Sequence, residues 1–121
     1  MSQLNRIVLI IAMNVLVYVL AVERYTDEFD NVDIGAIIRN DTLRDEYQKC
    51  YMNTAPCTSR VQKEITEMFR EALITNCEKC NENQREFLKK VIQWYAKNQI
   101  EKLLQKIAKS GEVMMQKNAN P

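Results

Sequence analysis

No histidine occurs anywhere in the 121 residues, and glycine and proline occur only twice each. Without an imidazole there is no Ser-His-Asp or Cys-His pair, no histidine general base and no common zinc triad. Two glycines cannot build a phosphate-cradling loop. Within residues 22–110 the only glycine and proline are Gly35 and Pro56. A β-rich domain of that length needs more turn formers, so the scarcity points to helices joined by short polar links. A charge excess is missing too. Lys and Arg total 17 against 16 Asp and Glu, interleaved along the chain. That balance leaves no basic face for nucleic acid or an anionic membrane surface. Glu64, Glu67, Glu71 and Glu82 have Lys or Arg nearby and read as solvated helix faces rather than catalytic pairs. No catalytic residue is assigned, and the chain is not read as an enzyme.

What the chain does have begins with a leader. Arg6 precedes an apolar run over residues 7–20, and Val19 and Ala21 fit the −3 and −1 positions of a cleavage site. The run falls short of the ~20 apolar residues of a spanning helix, and Asn14 interrupts it, so stable membrane insertion is not expected. Residues 1–21 are read as a cleaved signal peptide and residues 22–121 as one secreted domain. Cys50, Cys57, Cys77 and Cys80 follow the pattern C-x6-C-x19-C-x2-C. An even set behind an export signal reads as two disulfides, with three pairings open. A four-cysteine zinc site would need a tighter first pair, and a redox C-x-x-C would need a βαβ setting that the sequence lacks. Neither metal nor cofactor is expected.

Helical periodicity organises the rest. Over residues 58–75, Val61, Ile65, Met68, Phe69, Ala72 and Leu73 form one stripe, while Lys63, Glu64, Glu67, Arg70 and Glu71 face away. Ser59 with Gln62, and Asn81 with Gln84, have capping-box spacing. The second helix carries Phe87, Leu88, Val91, Ile92 and Tyr95; after a break near Asn98, Ile100, Leu103, Leu104, Ile107 and Ala108 repeat the pattern until Gly111 stops it. Upstream, Ile34, Ile37 and Ile38 mark one short apolar stripe, and after a kink or new cap at Asn40-Asp41, Leu43 and Tyr47 mark a second short helix. Residues 22–32 read as an extended arm lying on the bundle. The expectation is an all-α domain of five to six short amphipathic helices. Sustained heptads are absent, which argues against a coiled-coil partner; the chain is expected to be mostly a monomer.

Several stretches resemble the insect chemosensory proteins of the OS-D type. They are Y-T-D-E-F-D-N-V-D at residues 25–33, N-D-T-L at 40–43 leading through Tyr47 to Cys50, P-C-T at 56–58, T-N-C-E-K-C at 75–80 with Asn83-Gln84, and Val91-Ile92. The resemblance implies a compact six-helix fold around an apolar channel, with local disulfides Cys50–Cys57 and Cys77–Cys80. It also implies reversible binding of long-chain fatty acids, alcohols, esters or semiochemicals in extracellular fluid, with a receptor as a further partner. Phe29 and Tyr47 match aromatic positions that border the channel. The other expected lining residues are Ile38, Leu43, Ile65, Met68 and Phe69, followed by Val91, Tyr95, Leu103 and Leu104. The chain departs from the family beyond Asn98: the N-K-P-x-x-W and K-Y-D-P segments are missing, and Leu103 stands where the tryptophan belongs. The alternative is a secreted factor acting through its surface in development, cuticle or defence.

Overall fold

Polar caps divide the chain where the periodicities place its helices. The computed structural model describes residues 2–21 and 24–119. Its helices are α1 (Ser2–Ala21), α2 (Ile34–Arg39), α3 (Asp41–Tyr51), α4 (Arg60–Thr75), α5 (Glu82–Asn98) and α6 (Ile100–Ala119), with no strand among the described residues. Asp33 caps α2 by accepting from the Ala36 N–H at 2.9 Å, and Asn40 both ends α2 and caps α3 through the Leu43 N–H at 3.0 Å. Asn81 and Gln84 form a reciprocal capping box on α5. On α4 the Ser59 hydroxyl accepts from the Gln62 N–H, but the Gln62 side chain accepts from Thr58, one residue earlier than a strict box. Asn76 and Cys77 end α4 with φ of 54° and 61°. Asparagine tolerates that left-handed region, and the Cys77–Cys80 disulfide closes the turn beside it. The other disulfide is Cys50–Cys57, so both bridges are local.

The N-terminal arm is fastened over the second disulfide loop. The Tyr25 N–H donates to the Lys79 carbonyl at 3.0 Å, and its hydroxyl donates to the Glu71 carboxylate at 2.9 Å, where Lys79 also pairs at 3.0 Å. Gln84 adds a bond to the Thr26 carbonyl at 2.9 Å, and Phe29 is buried. Burial and the neighbouring Glu71 push the Tyr25 phenol far up. Burial alone would raise the Glu71 pKa, but the bonds from Lys79 and Tyr25 outweigh it and hold the carboxylate low.

Helix α4 packs most extensively along α6 and also against α3. Two expectations change here. Arg70 does not face solvent: it is buried, and its guanidinium donates to the carbonyls of Cys50 (3.1 Å) and Tyr51 (2.5 Å) and to Asn53 Oδ1 (3.1 Å). Helix α6 buries Leu103, Lys106 and Ser110, whereas Ile100, Leu104 and Ile107 lie on its exposed side. The face is fixed by polar and aromatic partners rather than by the longest apolar row. Tyr51 and Ser110 hydroxyls meet at 2.5 Å, and Ser110 donates its single hydrogen to the Lys106 carbonyl at 2.7 Å, so Tyr51 is the donor to Ser110.

Gly111 does not end α6, which continues to Ala119. A Cβ added at Gly111 would meet nothing within 4 Å. Gly111→Ala is therefore expected to stabilise the fold by about 0.5–1 kcal/mol, because the unfolded chain loses freedom and the helix accepts the methyl. A higher urea midpoint at unchanged slope is the readout; an unchanged or lower midpoint would show that the helix does not persist through this position.

Candidate functional site

Five helices leave an apolar cavity between them. Ile34, Ile37 and Ile38 come from α2, and Arg44, Tyr47 and Tyr51 from α3. Ile65, Thr66 and Phe69 come from α4, Val91 and Tyr95 from α5, and Lys106 from α6. The free space is about 50 Å³. A second void of about 10 Å³ adjoins it, sharing Ile34, Ile65 and Phe69 and adding Phe29, Asp30, Met68, Gln84 and Phe87. The helical phase explains the gathering. Ile65 and Phe69 are one turn apart on α4, Val91 and Tyr95 one turn apart on α5, and Tyr47 and Tyr51 one turn apart on α3.

Among the residues expected from the sequence, Ile38, Tyr47, Ile65, Phe69, Val91 and Tyr95 share the main cavity, and Phe29 and Met68 the smaller void. Leu43 is half-buried on α3 but lines neither space. Leu103 is buried as plain core. Leu104 is 58% exposed, because the face of α6 turned inward is the one bearing Leu103, Lys106 and Ser110. Sequence reasoning missed Tyr51, which the i+4 spacing from Tyr47 could have supplied. It also missed Arg44 and Lys106, whose charge disguised wall positions.

The polar groups of the wall differ in how they are matched. Arg44 donates to the Ile38 carbonyl at 2.6 Å, pairs with Asp41 at 3.0 Å and lies 4.4 Å from the Trp94 ring centre. The Trp94 and Tyr95 rings meet edge to face at 5.0 Å. Lys106 is only 6% exposed, with its Nζ 4.2 Å from the Tyr51 ring centre and 4.9 Å from that of Tyr95. It joins no ion pair among the described residues. Burial, then the charges of Lys102 and Arg70, push its amine down to about 7. Burial also pushes the phenol of Tyr51 up to about 12, against the opposing Ser110 bond and Arg70 charge, and raises those of Tyr47 and Tyr95. The tyrosines thus stay neutral wherever Lys106 titrates. Among the described residues no cluster of Cys, Asp and Glu is placed to hold a metal ion, and no helix is long and apolar enough to cross a membrane.

Residues 25–116 match the family model of the insect pheromone-binding family, A10/OS-D. The chain belongs to this family. It is 37% identical over 94 residues to ejaculatory bulb-specific protein 3 of Drosophila melanogaster, covering 78% of this chain and 74% of that one. It is 41% identical over 69 residues to putative odorant-binding protein A10 of the same organism, covering 57% of this chain and 44% of that relative. Allergen Tha p 1 of Thaumetopoea pityocampa is 30% identical over 63 residues, covering 52% and 49% of the two chains. No solved structure gives a significant match. The matched region of this OS-D chain contains every wall residue of the cavity.

The depressed Lys106 amine has a consequence for stability. Between about pH 7 and about pH 10.5 the unfolded chain binds a proton at this lysine that the folded chain does not. The contribution of Lys106 to stability therefore rises with pH across that window, by up to about 1.4 kcal/mol per pH unit, until the raised tyrosine phenols begin to oppose it near pH 10. Lys106→Met is expected to flatten that rise and to raise the denaturation midpoint at pH 6. A midpoint in urea measured from pH 6 to pH 10 for both proteins checks it; identical profiles would place the amine in contact with water.

Proposed function

We propose that the chain is a secreted, non-enzymatic carrier that reversibly holds small apolar ligands in the five-helix cavity. The supporting observation is an apolar wall drawn from α2 through α6 in a member of a family described as pheromone-binding. Long-chain alcohols, esters and acids are the ligand classes that fit such a wall, with residues 22–121 acting as the carrier domain and mainly as a monomer.

The free space of about 50 Å³ is well below the ~300–1,000 Å³ of typical ligand pockets. The described conformation is read as the closed form, and a guest must push wall residues aside. Ile37, Tyr47 and Val91 are half-buried and supply the movable side. The disulfides span sequence separations of 7 and 3 and tie no two distant helices together, so the bundle is free to widen. Burial of an alkyl chain at roughly 0.8 kcal/mol per methylene drives that opening.

Displacement of a fluorescent apolar probe, followed with Trp94 emission, tests the carrier reading. Val91→Phe fills the wall and is expected to weaken dodecanol binding by about tenfold or more, whereas Leu104→Trp, on the exposed side, leaves it unchanged. No saturable uptake by the folded, oxidised protein would overturn this reading in favour of a surface-acting role.

We also propose that residues 1–21 are an export signal. In α1 the side chains of Leu4, Met13 and residues 7–11 are exposed, which supports a segment outside the core. The proposed cleavage point, before Val22, lies outside the described residues. N-terminal sequencing of the protein exported from insect cells should begin at Val22; a retained leader would contradict the assignment.

A further inference from the structure

Lys106 brings an amino group into an apolar cavity without a counter-ion among the described residues, and that placement needs a reason. A lysine serving only as packing extends its stem along apolar surface and carries the amine out to water. Lys106 holds Nζ over the faces of Tyr51 and Tyr95, and only 6% of the residue is exposed. A methionine of similar length would fill the same space without the desolvation cost.

The groups around it are one-sided. From α3 come Tyr51 and Arg44, from α4 Arg70, from α5 Tyr95, and from its own helix Lys102; α2 contributes isoleucines. No carboxylate lines the main cavity; Asp30, whose buried Oδ1 meets no hydrogen-bond donor, lines the smaller adjoining void. Arg44 is matched by Asp41 and the Ile38 carbonyl, and Nη2 of Arg70 by two carbonyls and Asn53, although the Arg70 Nε is buried without a hydrogen-bond partner. Lys106 has only the two rings. The cavity therefore combines an aliphatic wall (Ile34, Ile38, Ile65, Val91) with a lysine amine that no carboxylate among the described residues pairs with.

Resting on the carrier reading above, we infer that the guests this cavity selects are alkyl chains ending in a carboxylate, with Lys106 as the residue that binds the head group. The ammonium form pairs with the carboxylate, and the tail lies against the isoleucines, Phe69 and Val91. Pairing raises the affinity of Lys106 for its proton, so binding near pH 8 takes up a proton from solution. An alcohol of equal length gains the tail contacts and not the ion pair.

The test compares dodecanoate with dodecanol by calorimetry on the oxidised protein. At pH 6 dodecanoate should bind about tenfold or more tightly than dodecanol, and this preference should shrink as pH rises to 9. Lys106→Met should abolish the preference, read as the ratio of the two affinities within that variant, whereas Lys106→Arg should retain it. At pH 8, heats measured in buffers of different ionisation enthalpy should report proton uptake for dodecanoate and none for dodecanol. Equal affinity for the two ligands in the unmodified protein, with no pH dependence, would overturn the inference while leaving the carrier reading intact. Failure to bind either ligand would remove the carrier reading itself. The comparison in the unmodified protein decides the matter even if a variant fails to fold.

Discussion

The guanidinium of Arg70 closes the C-terminal end of α3, and much of the cavity depends on that contact. The last carbonyls of a helix have no partner within it, and here those of Cys50 and Tyr51 point into the interior, where water is excluded. A cation at a helix C-terminus also meets the favourable end of the helix dipole. Hydrogen bonds to a charged group are worth about 1.5–3 kcal/mol each, and losing the donor would strip the Tyr51 carbonyl of its partner and leave that of Cys50 to the Asn53 N–H. The same group fixes the first disulfide loop through Asn53, which sits at φ 58°. It also lies 5.3 Å from the Tyr51 ring centre, and Tyr51 in turn bonds Ser110 on α6. One side chain on α4 thus sets the relation of α3 to α6, the two helices that carry Tyr51 and Lys106 into the cavity wall.

Caps and periodicity made α2 through α5 readable because each helix there has a side-chain oxygen at its start and one apolar face. Asn40, Ser59 and Asn81 cap their helices as their positions suggest, and Asp33, not singled out in the sequence, caps α2 in the same way. The second face of α4 was not readable: Gln62, Thr66 and Arg70 are buried because each meets a polar atom of a neighbouring segment, and only the fold brings those segments together. Helix α6 misled for a related reason. Ile100, Leu104 and Ile107 make the stronger apolar row, yet a lysine stem and a serine lie inward. Hydropathy treats lysine as polar along its whole length, whereas its four carbons pack as well as a leucine when the amine finds an aromatic face. Gly111 misled because a glycine ends a helix only where the chain must take positive φ, and here it does not.

About half of the candidate site was legible for the same reasons. Ile38, Tyr47, Ile65, Phe69, Val91 and Tyr95 reach the cavity because they sit on the inward stripes of α2 to α5. The family resemblance supplied the existence of a channel and the pairing of the cysteines, neither of which periodicity could provide. The charged wall residues depend on tertiary placement alone. Arg44 belongs to a wall because Asp41 and the end of α2 are close by, and Lys106 because two tyrosines from other helices converge on it.

An unneutralised amine in a closed apolar space makes the empty protein less stable than it would otherwise be at neutral pH. The fold tolerates this by letting the lysine give up its proton and by offering two ring faces to the charged form. Such a group penalises the empty state and rewards an occupant that brings a negative charge. The local disulfides act in the same direction: they secure the loops at both ends of α4 while leaving helix spacing to side-chain packing, which a long guest can rearrange. Stability is thus concentrated in the loops, the arm and the Arg70 contact. The cavity keeps the one feature that packing alone would have removed.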